Sequence, residues 1–338
     1  MSKMDSRRGA NKGADFHGLH PGAMLAFLGL VAALSSASIF GQSADFGGRF
    51  ALGGERTPAT HHYEMVTEVV HFSPQGKRTT VETYRLWLEW TPTQVSGKTV
   101  DVLTCRRFTF QSGNQPAADI PALQDWSYEF GRFDNGMDAQ GQIFGIAHEK
   151  FEGLKDSSGR PLPPVARYAV YNAFIDFHSL CNVFAEATKE GGGIQDLREI
   201  GQRIRHASAF TEPTVRLGTA VEDGSTFKNG DVNLELKGVG LVDRAACAIV
   251  GYDSGESSFN MTVRMAPDMK MQVVGGSHYA GDLYIDLATH WVTKADMREL
   301  VVTEVSLPMP PGKIHDVIER ALTLRTTAGD TSRSPALR

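Results

Sequence analysis

The sequence predicts an α+β fold that is mainly antiparallel β, with a curved sheet or half-barrel meander packed on one long amphipathic helix plus a shorter helix. Short runs rich in Val, Thr, Tyr and Phe alternate with turn-like segments, and this composition favours strands. Between two such regions the apolar period changes to three and four residues, which indicates a helix. A chain of 338 residues, 41% of them apolar, can bury a core of this kind.

The N-terminus has the pattern of an export signal. Arg7, Arg8 and Lys12 precede an apolar run at 22–34, and small residues follow it. This order is typical of a secretory signal peptide. An uncleaved anchor is the alternative, because residues 22–40 form a stretch of about the length that spans a bilayer. We therefore expect 1–40 to be a signal peptide or N-terminal anchor of a periplasmic or extracellular protein, followed by a linker at 41–60.

A β-rich domain is predicted at 61–326, with a disordered tail at 327–338. Its first β half, at 61–150, begins with a meander of three strands at 63–72, 79–90 and 99–110, and shorter strands follow at 126–130 and 142–148. Alternation along the second strand predicts which side chains face the core. That predicted core face consists of Glu82, Tyr84, Leu86, Leu88 and Trp90.

A helical insert is predicted at 165–207. Its first helix covers about 165–189, because apolar residues recur there at helical spacing and a glycine run follows at 191–193. These apolar residues are Val170, Phe174, Phe177, Cys181 and Phe184. A second and more polar helix is predicted from Ile194 to about Ala207.

The second β half, at 213–326, is predicted to contain eight strands. They are placed at 218–228, 231–237, 241–253, 257–265, 269–274, 279–287, 291–306 and 317–325. The letters KNGD at 228–231 predict a tight hairpin, because Asn and Gly tolerate the positive φ angles of a primed turn.

His278, Asp282, Asp286 and His290 lie four residues apart, a spacing that would place them on one face of a helix. Apolar residues at 283, 285 and 287 alternate with polar ones, however, so we predict a strand with a turn at 288–290. On a strand, His278 and Asp286 are roughly 26 Å apart, too far to share one ion. We predict no metal site and no cofactor.

Composition limits the classes of partner. The formal net charge of -5 gives no basic excess for nucleic acid, so no nucleic-acid partner is predicted. Asp134 and Asp138 are spaced like part of a calcium loop that lacks the remaining ligands. Cys105, Cys181 and Cys247 lie in apolar or alternating runs, and either buried thiols or one disulfide is compatible with the sequence.

The hairpin Y-x-G-x-L-x-x-D-L-x-T begins at Tyr279. Together with the long antiparallel strands, the helical insert and the N-terminal signal, it resembles the half-barrel of the periplasmic lipoprotein carriers. The chain is also similar to uncharacterised secreted bacterial β-rich proteins. The resemblance concerns architecture over about 62–326 and implies a curved sheet that wraps helices and holds acyl chains. It has no diagnostic residue motif, so no binding residue is transferred from it.

We therefore expect an exported, non-enzymatic protein that binds a lipid or another apolar ligand, or an envelope component, on a curved sheet closed by the long helix. A membrane would be contacted only through an uncleaved N-terminal segment. The candidate ligand-lining residues are Tyr171, Phe174, Phe177, His178 and Phe184, and the alternative is that they only fill the core. Two other functions stay open. One is a secreted hydrolase that uses Asp176 and His178 with Asp134 or Asp138; the other is a structural or adhesive envelope protein.

Overall fold

The computed structural model describes residues 50–52, 56–95, 98–130, 146, 148–183, 193–206, 221–222, 224–228, 230–266, 268–308, 310 and 312–328. They belong to one compact unit at 44–338. The predicted signal peptide or anchor, Phe184, Asp134, Asp138 and most of the predicted strand at 142–148 lie outside these residues, as does the predicted tail from residue 329 onward.

The described strands form one open, curled, antiparallel sheet, which confirms the predicted class of mainly antiparallel β. They are β1 (His61–Phe72), β2 (Arg78–Val95), β3 (Lys98–Ser112), β4 (Ala118–Asp119), β5 (Trp126–Phe130), β6 (Arg203–His206), β7 (Thr226–Lys228), β8 (Val232–Val242), β9 (Ala245–Ala266), β10 (Met269–Asp286), β11 (Val292–Ser306) and β12 (Lys313–Thr327). The order is β4-β3-β2-β1-β12-β11-β10-β9-β8-β6; β5 pairs with β3 and β7 with β9.

The strands that come first and last along the chain, β1 and β12, are neighbours in the middle of the sheet. β1 pairs with β12 along its length, from His62 opposite Thr327 to Phe72 opposite Val317. β1 also pairs with β2, and β12 with β11, so this central pair joins the two predicted β halves into a single sheet.

The long helix, α1 (Pro164–His178), has 15 residues, and its backbone continues as a π turn at Ser179–Val183. Pro164 lies in the first helical turn, where the proline ring suits the backbone and no intrahelical N–H is needed. The predicted helix is therefore present as far as the structure describes it. Residues 184–189 of the prediction lie outside the described part.

The predicted second helix is wrong. The structure has a short 3₁₀ turn at Ile194–Asp196, followed by a bend and strand β6. Gly201 adopts a φ of 84°, a left-handed conformation that interrupts a helix. The side-chain carbonyl of Gln202 accepts hydrogen bonds from the backbone of Arg198 and Glu199, and β6 then pairs with β8. These local hydrogen bonds and the pairing with β8 determine the structure of this segment, although its apolar spacing is that of a helix.

The predicted hairpin at 228–231 is also wrong. β7 and β8 both pair antiparallel with β9, so the segment lies at a break along one edge of the sheet. A side chain at Gly230 would lie 2.7 Å from the carbonyl oxygen of Glu256, which explains the glycine by close backbone approach. The tight turn is instead formed by Asp243 and Arg244, which have φ angles of 47° and 73° and connect β8 to β9.

Strands β9 and β10 are longer than predicted. β9 joins the predicted strands at 241–253 and 257–265, and β10 joins those at 269–274 and 279–287. Gly275 and Gly276 lie between the two predicted strands, yet they are inside the β10 ladder, where a side chain would meet neighbouring strands. Gly255 marks an irregularity in the register and does not end the strand.

The main core lies between α1 and one face of the sheet, which we call the helix-side face. Tyr84, Leu86, Leu88 and Trp90 are buried there, which confirms the apolar part of the predicted core face of β2.

Cys105, Cys181 and Cys247 are buried and unbonded to one another, in agreement with the interpretation as buried thiols. Burial raises the pKa of Cys105 and Cys181 to about 12, so these thiols stay protonated.

None of the helices in the described part combines the length and apolar composition needed to span a bilayer.

Candidate functional site

The aromatic candidates on α1 pack against the sheet. Phe174 stacks on Phe108 with ring centroids 5.9 Å apart, and Phe177 meets the edge of Tyr63 at 5.3 Å. Tyr171 packs edge-on against Phe151 at 5.3 Å. All three candidates are buried in the core. Their role as ligand-lining residues stays a prediction, and Phe184 lies outside the described residues.

His178 is also completely buried. Its Nε2 shares a 2.8 Å hydrogen bond with the hydroxyl of Tyr128 on β5. Burial lowers the pKa of His178 to about 3, so the imidazole is neutral at physiological pH. This hydrogen bond thus connects the end of α1 to β5.

Asp176 points to a different set of groups from His178. Its carboxylate forms an ion pair with Arg320 on β12, and the same guanidinium also pairs with Glu299 on β11. Burial raises the pKa of Asp176 to about 6, while Arg320 opposes the shift. Asp176 and His178 thus have different partners within the described residues. The other hydrolase candidates, Asp134 and Asp138, lie outside the described residues.

A tyrosine completes this group. Tyr279 on β10 lies directly opposite Glu299, which in turn lies opposite Arg320, so the three are neighbours across three strands. The hydroxyl of Tyr279 is buried and has no hydrogen-bond partner, and its ring packs edge-on against Tyr252 at 5.9 Å. Burial raises the pKa of Tyr279 well above its usual value, and the Asp176 carboxylate adds to this shift. We call Asp176, Tyr279, Glu299 and Arg320 the polar cluster.

Beyond the polar cluster, the helix-side face continues along β9 to β12 as a mainly apolar surface. Strand alternation and register place one set of side chains on it, with Met261 opposite Val273, Val273 opposite Val305, and Val305 opposite Ile314. We call this surface the apolar shelf; it consists of Met261, Val273, Val301, Val305, Ile314 and Ile318. Val273 is buried, Ile314 is 43% exposed, and the other four are half-buried.

Polar residues interrupt the shelf at two neighbouring levels. Thr303 and Asp316 lie opposite each other at one of them, and Asp316 is 3.2 Å from the Nδ1 of His71. At the other, Ser277 lies between Val301 and Ser257, and the two serine hydroxyls are 2.6 Å apart. The shelf is therefore apolar at its far end and mixed between that end and the polar cluster.

The four residues of the suspected metal spacing do not meet. His278 contacts Asp253 at 2.9 Å, and Asp282 contacts Lys237 at 2.6 Å. Asp286 accepts hydrogen bonds from the backbone of Ala288 and Thr289, which fixes the turn after β10. The predicted strand and turn at 279–290 are confirmed. Within the described residues, no group of three His, Cys, Asp or Glu side chains is arranged to hold a metal ion.

The sequence indicates part of the polar cluster, because it places charged residues at core-facing strand positions, which apolar periodicity alone does not single out. Arg320 has the same strand parity as the buried Leu322 and Leu324, and Glu299 has that of Met297. A charge at a core-facing strand position requires a charged or hydrogen-bonded partner. That rule identifies both residues, but it does not identify Asp176 as the partner from another element.

Comparison with known proteins gives no assignment. No protein-family model and no curated protein matches this sequence. Among solved structures, the outer membrane channel DcaP of Acinetobacter baumannii was matched at 10% sequence identity, with coverage of 81% of this chain and 99% of that chain. The TM-score of this match is 0.14, so it carries no argument about fold or function.

Proposed function

We propose that this protein is an exported, non-enzymatic binding protein that holds a lipid or another apolar ligand on the helix-side face of a half-barrel sheet. The observation that carries the proposal is the apolar shelf. It continues the core-facing side of β9 to β12 past the region that α1 covers, and Ile314 at its far end is 43% exposed.

A strand with both faces in water gains nothing from a row of aliphatic side chains on the inner face. Fully burying an exposed aliphatic side chain is worth about 1.5–3 kcal/mol, and covering a half-buried one is worth correspondingly less. On the shelf these side chains form cross-strand neighbours, so one extended alkyl chain can contact several of them. Phe174 and Phe177 of α1 are fully buried in the core, so the proposal assigns the ligand contacts to the shelf.

The proposal is tested with protein purified under mild conditions from its own host. Native mass spectrometry and solvent extraction should detect a bound hydrophobic molecule. Val305→Lys places a charge on the shelf and should remove that molecule. Val302→Lys is the matched control, because Val302 is 49% exposed and has the opposite strand parity on β11. A ligand-free wild type that also fails to bind alkyl probes would overturn the proposal.

The secreted hydrolase and the structural or adhesive envelope protein remain alternative predictions. The hydrolase depends on Asp134 or Asp138, which the structure does not describe. The envelope alternative depends on sheet edges or exposed apolar side chains, such as those of Leu241 on β8 and Leu300 on β11.

A further inference from the structure

We propose that the polar cluster binds the polar end of the ligand, and that it selects a positively charged, hydrogen-bond-donating head group such as a primary ammonium. This inference rests on the proposed function, because it needs an alkyl chain on the apolar shelf. It adds the head-group chemistry, which the shelf does not specify.

The charge of the cluster favours a cation. Asp176 and Glu299 supply two carboxylates, and Arg320 supplies one guanidinium that already pairs with both. With all three ionised, the cluster has one excess negative charge. An anionic head group would meet this excess charge at a site where Arg320 is already engaged, whereas an ammonium would neutralise it.

The second observation is the hydroxyl of Tyr279. It is buried and has no partner, although it lies beside Glu299 in the ladder. A buried polar group without a hydrogen bond destabilises the folded protein, because it has lost its contacts with water. A donating head group would give the oxygen of this hydroxyl a partner, because a phenol oxygen can accept a hydrogen bond from an ammonium.

The position of the cluster suits an amphipathic ligand. Along β11, Glu299 belongs to the cluster and Val301 and Val305 belong to the shelf. At about 3.3 Å per residue, the distance from Glu299 to Val305 is roughly 20 Å. A long alkyl chain can therefore lie on the shelf while its head group reaches the cluster.

The experiment compares dodecylamine with dodecanoate by isothermal titration calorimetry at pH 7.5, below the concentrations at which either probe forms micelles. The two probes have the same chain length and opposite head-group charge. We expect dodecylamine to bind at least tenfold more tightly to the wild type. Glu299→Gln should reduce that ratio to near one while alkyl binding persists.

Glu304→Gln is the matched control. Glu304 has the opposite strand parity on β11 and pairs with Lys313, so its removal changes the net charge equally without altering the cluster. This variant should keep the preference for the amine, and a lost preference would show that overall charge was responsible. Tyr279→Phe removes only the buried hydroxyl and should weaken amine binding, and it provides the test if Glu299→Gln does not fold.

The outcomes separate the two proposals. Equal binding of both probes, or tighter binding of dodecanoate, would overturn the head-group inference and leave the apolar-ligand function standing. Binding of neither probe would overturn both. An amine preference that Glu299→Gln abolishes and Glu304→Gln retains would support the inference.

Discussion

Asp176 shows how a single residue links helix and sheet in this protein. It lies on an otherwise apolar helix, yet its carboxylate reaches Arg320 on β12, and Arg320 also holds Glu299 on β11. The sequence drew attention to Asp176 because it lies two residues before His178 within the apolar helix, and the hydrolase hypothesis combined both residues with loop acids. The structure gives each a separate partner, because residues i and i+2 of a helix point in different directions.

The raised pKa of Asp176 leads to a prediction about pH. Because the pKa of Asp176 is about 6 in the folded protein against an ordinary value of 3.8, the folded protein binds this proton more tightly than the unfolded chain. The contribution of Asp176 to stability is therefore greatest below about pH 4 and declines as pH rises through 6, by up to about 3 kcal/mol. Arg320, Glu299, Tyr168, Tyr252 and Tyr279 are the charged or titratable groups near it.

Urea unfolding of wild type and Asp176→Asn at pH 4, 5, 6 and 7 measures this contribution. All other titrating groups are common to both proteins, so the difference between the two curves isolates Asp176. The free energy of unfolding of the wild type should fall relative to that of the variant between pH 4 and 7. Two curves that stay parallel would contradict the assigned pKa.

At the scale of elements, period-two patterns identified the long strands and the three-to-four spacing identified α1, because each pattern reflects one buried face. The second predicted helix was wrong because Gly201 adopts a left-handed conformation and Gln202 makes local hydrogen bonds, and apolar periodicity detects neither. The hairpin at 228–231 was wrong because Gly230 is required by the approach of β9, a long-range contact. The pairing of Asp176 with Arg320 on β12 likewise depends on tertiary structure.

Glycines inside the long strands allow a test of this explanation. A side chain at Gly281 would overlap the carbonyl oxygen of Asp296 and lie 2.8 Å from the Cα of Met297 on β11. Gly281→Ala should therefore lower the free energy of unfolding by about 1–3 kcal/mol. Gly240→Ala is the control, since its new Cβ would meet only the side chain of Ile249, at 3.1 Å. Urea denaturation checks the difference, and similar losses in both variants would refute the close-approach argument.

At the scale of the described unit, the two β halves share one sheet through β1 and β12, and one main core lies against it. The sequence alone left open whether they form one sheet or two domains, because alternation does not report which strands are neighbours. The register between β1 and β12 settles the question.

This arrangement predicts one cooperative unfolding transition for both halves. Leu88 in β2 and Leu283 in β10 are fully buried in the same core. Leu88→Ala and Leu283→Ala should each cost about 2–5 kcal/mol and shift the same calorimetric transition. Leu300→Ala, at a side chain that is 51% exposed, is the control and should change the transition temperature little. Two separate transitions, each shifted by only one of the buried variants, would be inconsistent with a shared sheet.

The adjacency of β1 and β12 also affects how the polypeptide is made. Nearly the whole unit has to be synthesised before β12 leaves the ribosome. Until then β1 can pair with β2 on one side, but its other edge has no partner strand. Pairing between segments so distant along the chain gives a high contact order and slow folding. The nascent chain consequently presents an open strand edge to other molecules throughout translation, and productive folding depends on keeping that edge from aggregating.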